Sequence, residues 1–282
     1  MSSDPNTEMI RYWNETSGPK WVARMQQLDA QLAALGELAL ERARPLPGER
    51  VLDVGCGCGH TVLQLAERVG PVGRVLGIDI SAPMLARAAE RTRDLPQVDL
   101  LEADAQLQHF EGGFDLVFSR FGVMFFQDPV AAFANLRRAL APGGRLTFIC
   151  WDQIAKNPWM RVPLMAMAAH VPLPEPPPPG APGPFAFADP ERVRGILVDA
   201  GFANVELQAR DVHLEVGGGV GLDDAVDFLL SVGPASQALR EVDAATRAAV
   251  AGAVREAIAP FTLDAGVAMD AAVWICSADA SD

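Results

Sequence analysis

Three glycines at alternate positions, Gly55, Gly57 and Gly59, join an apolar run over residues 51–55 to a helical pattern over residues 61–69. Glycine permits positive φ and carries no Cβ, and the first turn of the helix that follows presents unpaired N–H groups. The segment therefore reads as strand, loop and helix, with a loop that a ligand can approach closely. A plain β–α turn would use glycines in the same way, so the triplet alone leaves both readings open. A second strand over residues 74–80 completes one β–α–β unit.

The alternation continues. Ser81 stands where it can cap a helix from Ala82, with Pro83 in its first turn, and residues 98–103 supply a third strand. Residues 114–119 form a fourth strand, Asp128 caps and Pro129 opens a helix through Leu140, and Pro142-Gly143-Gly144 turns the chain into a fifth strand over 145–151. Strands alternating with helices predict an α/β fold, a parallel sheet covered on both faces through right-handed crossovers. Ahead of it, apolar residues at helical spacing predict an amphipathic helix from Lys20 to Arg44, ended by Pro45 and Pro47.

After Trp151 the pattern breaks. Residues 153–188 contain Pro172, Pro174, Pro176 to Pro179, Pro182 and Pro184, and read as neither ordinary helix nor central strand. Loops of this length in compact domains are usually functional or disordered, so a lid is expected and a floppy linker is the alternative. A helix over 191–200, a strand over 205–216, helices near 223–232 and 244–259 and a last strand over 267–276 follow.

Half of the 282 residues are hydrophobic and 21% are charged, which excludes a mostly disordered chain. The formal net charge of −13 opposes a broad phosphate-neutralising surface, so nucleic acid is not an expected partner. The opening MSSDPNTEMIRYWNET shows no basic segment followed by an apolar run, and no stretch approaches the ~18 apolar residues of a membrane span. With four scattered cysteines, Cys56, Cys58, Cys150 and Cys276, the expectation is a cytoplasmic protein with reduced thiols and no membrane partner. Cys56 and Cys58, one residue apart, fit no standard zinc spacing, and no metal is expected.

Asp79 follows Gly59 by 20 residues, the spacing at which a carboxylate accepts hydrogen bonds from ribose hydroxyls in a doubly wound fold. An adenosine-bearing cofactor is implied. His60 occupies the position where a dinucleotide fingerprint wants its last glycine. Asp53 would repel a pyrophosphate but suits the cationic sulfonium and amino group of S-adenosylmethionine. In this order, VLDVGCGCG, GIDIS, EADA, FDLVFSRFGVMFF and LAPGGRL, over about residues 49–152, resemble the successive motifs of class I S-adenosylmethionine-dependent methyltransferases, nearest to the ubiquinone/menaquinone C-methyltransferase-like group.

The resemblance implies a Rossmann-like, doubly wound sheet of seven strands, parallel with an antiparallel last strand, plus an inserted substrate cap. It divides the chain into an N-terminal helical lid (1–48), an S-adenosylmethionine-binding core (49–152), a proline-rich cap insertion (153–188) and a C-terminal part of the core (189–282) with a helical insertion at about 222–260. It implies Gly55, Cys56, Gly57 and Gly59 around the methionine moiety, Asp79 and Ile80 at the ribose, and Asp104 and Ala105 at the adenine. Ser119 and Arg120, with Phe121, fall beside the amino-acid end and the methyl group. Tyr12 and Trp13 are lid candidates, aromatic packing being the alternative.

The implied activity is in-line methyl transfer from S-adenosylmethionine to a small apolar or aromatic acceptor, giving S-adenosylhomocysteine, by a monomer or homodimer. Two alternatives stand beside it: a same-fold enzyme using the cofactor for a non-methylating reaction such as cyclisation, and a non-catalytic regulatory or partner-binding subunit. Asp53, the three glycines and Asp79, all intact, argue against the second. Proximity and exclusion of water can supply most of the catalysis, so a general base is optional. Among His60, His109, His170 and His213, the candidate base is His170, in the proline-rich cap. Phe121, Trp151 and Trp159 are candidate substrate contacts, with Phe185, Phe187, Met160, Met165 and Met167 as further wall candidates against ordinary core packing.

Overall fold

A computed structural model describes residues 6–173, 175, 177–239 and 242–280. Residues 1–5 of the expected lid, and Pro174 and Pro176 of the proline run, lie outside the described residues. The chain opens with α1 (Thr7–Arg11), a π-helical turn (Tyr12–Thr16), α2 (Ser17–Ala23) and α3 (Met25–Ala43). The single helix expected over 20–44 is thus two, because the backbone at Arg24 leaves helical geometry, with φ −108° and ψ 14°.

The alternating part follows as β1 (Arg50–Val54), α4 (His60–Val69), β2 (Arg74–Asp79), α5 (Ala82–Thr92), β3 (Val98–Glu102), β4 (Phe114–Arg120), α6 (Pro129–Ala139) and β5 (Leu140–Trp151). The rest comprises α7 (Pro158–Met167), α8 (Pro190–Asp199), β6 (Phe202–Glu215), α9 (Leu222–Ser231), α10 (Gly233–Ala238), α11 (Ala244–Ile258), the two-residue β7 (Thr262–Leu263) and β8 (Gly266–Ala280).

The strand order is β3-β2-β1-β4-β5-β8-β6, with β7 paired to β8 outside that path. β1 to β5 run parallel, and β8 inserts antiparallel between β5 and β6. The expected seven strands and antiparallel last strand are both present. Strand order reverses between β1 and β4, so their carboxyl ends flank the crevice in which open α/β sheets bind ligands. Right-handed crossovers put α4 and α5 on one face and α6 and α8 on the other. Val51, Leu52, Leu116, Val117 and Phe118 have no exposed surface, the continuous burial of central parallel strands. Each such side chain contributes roughly 1.5–3 kcal/mol through burial.

Caps written in the sequence form where the partner is local. Asp128 accepts from the Ala131 N–H and Asp189 from the Glu191 N–H. Ser81 does not cap: its hydroxyl donates to the Trp13 carbonyl at 2.9 Å, and the Ala82 N–H is taken by Asn14 Oδ1. Pro142-Gly143-Gly144 lies within β5 as an irregularity between the pairs Phe114–Leu140 and Leu116–Arg145, instead of preceding the strand.

Residues 153–188 are not helix-free as expected, since α7 occupies ten of them. Pro158 lies in its first turn, where the missing N–H is harmless, Pro163 is tolerated inside, and the dense prolines begin beyond its end. Among the described residues no helix is long and apolar enough to cross a membrane.

Candidate active site

A cavity of about 250 Å³ opens at the carboxyl ends of β1, β2 and β4. The glycine loop forms its floor. Gly55 has φ +71°, and a Cβ there would stand 2.7 Å from the Cα of Gly122 in the loop after β4. Gly59, at φ +82°, would place a Cβ 3.0 Å from that of Ala88 on α5. What these two glycines clear is protein backbone and helix, so the loop can nest between β4 and α5. Gly59 is not part of the cavity wall; Gly55, Cys56 and Gly57 are.

Asp79 ends β2 beside this floor. Its Oδ2 accepts from the Gly57 N–H at 2.8 Å and its Oδ1 from the Ser81 N–H at 2.9 Å. Burial raises its pKa, opposed by these backbone bonds. Each carboxylate oxygen keeps a lone pair for a hydroxyl donor. Farther along the same wall lie Ile80, Asp104 and Ala105. Asp104 Oδ1 accepts from the Gln106 N–H and Oδ2 from Asn6 Nδ2, which fixes the carboxylate in place.

Two expected contact residues stand behind the wall. Asp53 has no exposed surface and does not line the cavity; Thr61 Oγ1 donates to its Oδ2, while Oδ1 has no hydrogen-bond partner. Burial pushes its pKa up to about 7. Ser119 is likewise fully buried, its hydroxyl donating to the Val54 carbonyl and accepting from the Gly122 N–H. Ser119 therefore ties the end of β1 to the loop after β4, a strut where a ligand contact was expected.

Arg120 does face the cavity, and its Nη1 donates to His60 Nδ1 at 3.0 Å. Burial, and then the Arg120 charge, hold the His60 pKa below its ordinary value, so the imidazole is neutral. Asp29 on α3 approaches His60 at 3.6 Å and pairs with Arg91 at 2.8 Å; Arg91 also donates to the Cys58 carbonyl. The charged cluster thus clamps the glycine loop between α3 and α5. Cys56 and Cys58 are buried thiols, and burial pushes the Cys58 pKa up to about 12, far from thiolate chemistry at neutral pH.

The opposite end of the cavity is aromatic. Phe121 adopts φ +60°, unusual for a bulky side chain and common where structure is built around a ligand. Its ring stacks on Trp151 at 4.2 Å, and Trp151 meets Trp159 at 5.2 Å. Met160, Pro163 and Leu164 of α7 continue this wall, and Leu229 of α9, Ala235 of α10 and Val232 between the two helices close it. Of the proline run described, only Pro184 takes part, so α7 and the 222–238 helices are the cover that the loop was expected to be.

Phe187 and Met167 belong to the core and Met165 is exposed. His170 is exposed and does not line the cavity, so the structure does not place the expected base at the site. His109 and His213 are exposed as well, and His60 is the histidine that lines the cavity. Tyr12 and Trp13 line the cavity, Trp13 meeting Phe125 edge-on at 5.1 Å.

Asp29 and Gln31 were not legible as site residues. Asp29 and Gln31 share α3 with Leu28 and Leu32, all four lining the cavity; polar residues inside an apolar helical stripe were the signal available. Gln31 Oε1 accepts from the Gly217 N–H at 2.7 Å and ties α3 to the end of β6.

Residues 51–144, the segment holding the glycine loop, Asp79, Asp104 and Arg120, match the family described as "Methyltransferase domain". By this match the segment is a methyltransferase domain. Aklanonic acid methyltransferase DauC of Streptomyces sp. (strain C5) is 39% identical over 117 residues, 40% of this chain and 53% of that protein. Demethylmenaquinone methyltransferase of Staphylococcus saprophyticus is 28% identical over 171 residues, 57% of this chain and 73% of that protein. The chain thus spans about half the length of the first of these relatives.

A solved structure of Haemonchus contortus phosphoethanolamine N-methyltransferase 2, in complex with phosphomonomethylethanolamine and S-adenosylhomocysteine, has the same fold, with TM-score 0.52, 20% identity, and coverage of 88% of this chain and 53% of that one. Outside the methyltransferase domain lie α1 to α3 and everything from α7 onward, including the helices that build the aromatic end.

Proposed function

We propose that the chain transfers a methyl group from S-adenosylmethionine to a small apolar or aromatic metabolite. The observation that carries this reading is one continuous cavity with two chemically distinct ends: carboxylates and glycine backbone at one, stacked aromatic rings at the other. The residues fit the cofactor. Asp79 has spare acceptor capacity for a ribose diol, Asp104 and Ala105 line the same wall farther on, and the buried Asp53 Oδ1, without a hydrogen-bond partner, lies beneath the loop.

On this reading Gly55, Cys56 and Gly57 take the methionine portion, Ile80 packs on the nucleoside, and Arg120 faces the amino-acid end. Tyr12 and Trp13 cover it. When bound, S-adenosylmethionine supplies an electrophilic methyl on a cationic sulfur. Phe121, Trp151 and Trp159 hold a flat acceptor and exclude water from it. Among the described residues of the aromatic end named above, none is titratable, and His60 Nδ1 is occupied by Arg120. The chain therefore works by orientation, and the acceptor atom must arrive as a nucleophile.

Residues 1–48, 153–188 and 222–260 are the covers of this core in the proposal. The four free thiols and the net charge of −13 support a cytoplasmic enzyme, monomeric or homodimeric, with no nucleic-acid or membrane partner. Calorimetric titration with S-adenosylmethionine and S-adenosylhomocysteine tests the reading, followed by mass spectrometry of candidate phenol, quinol and amine acceptors. Micromolar binding of both ligands and a product heavier by one methylene are expected. Absence of binding by either ligand overturns it.

A further inference from the structure

The segment from Asn6 to Ala23 is fastened to the body at the place where β2 ends and α5 begins. Asn14 Nδ2 donates to the Ile80 carbonyl at 2.7 Å and to the Ile10 carbonyl at 2.8 Å, and Asn14 Oδ1 accepts from the Ala82 N–H at 2.9 Å. Beside it, the Ser81 hydroxyl donates to the Trp13 carbonyl at 2.9 Å. Gly18 seals the contact, since a Cβ there would stand 2.1 Å from the Trp13 oxygen and 2.5 Å from Ser81 Oγ. Trp13 and Asn14 both lie within a π-helical turn, a local geometry found often at functional sites.

The receiving residues are the cofactor wall itself. Ser81 N–H donates to Asp79 Oδ1, so Asn14 grips the backbone on either side of the residue that anchors that carboxylate. Tyr12 and Trp13 line the same cavity as Gly57, Asp79 and Ile80. Breaking the Asn14 and Ser81 bonds would free Tyr12 and Trp13 from that wall. α5 has a free N-terminal N–H to offer because Ser81 turns its hydroxyl away, and Asn14 takes it.

We infer that Asn14 is a positioning residue that latches the N-terminal segment over the cofactor end of the cavity, so that cofactor exchange runs through release of its side chain. The inference rests on the proposed function for what the cavity holds. It makes two demands. The Ala82 bond stabilises α5 as well as the latch, whereas the Ile80 bond joins the segment to the strand end. The two roles separate in Asn14→Asp, which keeps an acceptor for Ala82 and loses the donor to Ile80.

Stopped-flow measurement of S-adenosylhomocysteine dissociation, read by the tryptophans Trp13 and Trp21, tests this on the full chain. Loss of the paired bonds predicts dissociation faster by about tenfold or more in Asn14→Ala. Asn14→Asp is expected to melt near the wild-type temperature and still release the ligand fast. Trypsin cleavage at Arg11, Lys20 and Arg24 should be suppressed by the ligand in wild type and much less in Asn14→Ala. Wild-type dissociation rates in both variants, or an Asp variant that restores melting temperature and slow release together, would overturn the latch. A wild-type protein that binds no S-adenosylhomocysteine removes the cofactor reading first, and the latch with it.

Discussion

Asp53 and Asp79 flank one loop and carry different duties because of what reaches them. Asp53 is sealed, with one oxygen bonded by Thr61, and burial raises its pKa from 3.8 to about 7. A raised carboxyl pKa means that the folded state retains a proton that the unfolded state releases, so stability is fullest below pH 4 and is lost as pH rises toward 7. The size follows from the shift, roughly 4 kcal/mol across that window. Urea unfolding of wild type and Asp53→Asn at successive pH values should show the wild type losing ground relative to the variant between pH 4 and 7, and a constant difference above it; parallel curves would contradict the burial argument.

Asp79 instead receives two backbone N–H groups and faces the cavity. Asp79→Ala should weaken S-adenosylhomocysteine binding by about 1–3 kcal/mol, since ribose hydroxyls and the Gly57 and Ser81 amides all lose an acceptor. Unchanged calorimetric affinity would remove Asp79 from the site.

Among the elements, the glycine loop depends on close backbone approach. Gly55→Ala forces a Cβ within 2.7 Å of Gly122 at a positive φ, and the two backbones must separate. It should lower stability by about 1–3 kcal/mol and abolish ligand binding, measured by thermal melting with and without S-adenosylhomocysteine. The cap at Asp128 is a contrasting case on the far side of the sheet. Asp128→Ala should cost about 1 kcal/mol of stability with cofactor affinity intact. α7 carries the acceptor wall, so Trp159→Ala should raise acceptor KM about tenfold or more while calorimetric cofactor affinity stays within twofold. Equal losses in both would place α7 at the cofactor.

On the scale of the whole molecule, two covers close one cavity from different parts of the chain. The segment before β1 covers the carboxylate end, and α7 with α9 and α10 covers the aromatic end. β8, inserted between β5 and β6, binds the C-terminal half into the same sheet, and its Ala272 N–H and carbonyl both bond Asn157, which precedes α7. The acceptor cover is therefore rooted in the sheet, and the N-terminal cover is bonded at the β2–α5 junction and at Asp104. Hydrogen exchange should show S-adenosylhomocysteine slowing amides of residues 6–23 and 55–60, with α7 and α9 slowed only when an acceptor is added. Uniform slowing would mean that the covers move together.

Sequence alone determined the β–α alternation, the glycine loop, the antiparallel seventh strand through its family likeness, and the carboxylates at 79 and 104. The alternation, the loop and Asp79 follow from period, from turn chemistry and from spacing along one local β–α–β path, all of which act over a few residues; the last strand and Asp104 rest on the family likeness. Tertiary structure decided which side chains face the cavity. Asp53 and Ser119 fell behind the wall because a strand alternates its faces and because the Thr61 hydroxyl and the Val54 carbonyl supplied their partners. Ser81 lost its cap to Asn14, 67 positions earlier, and His170 lost the role of base to its own exposure. α7 formed inside a segment whose prolines had counted against any helix. Contacts between residues far apart in sequence carry no local signature, and these contacts shape the cavity.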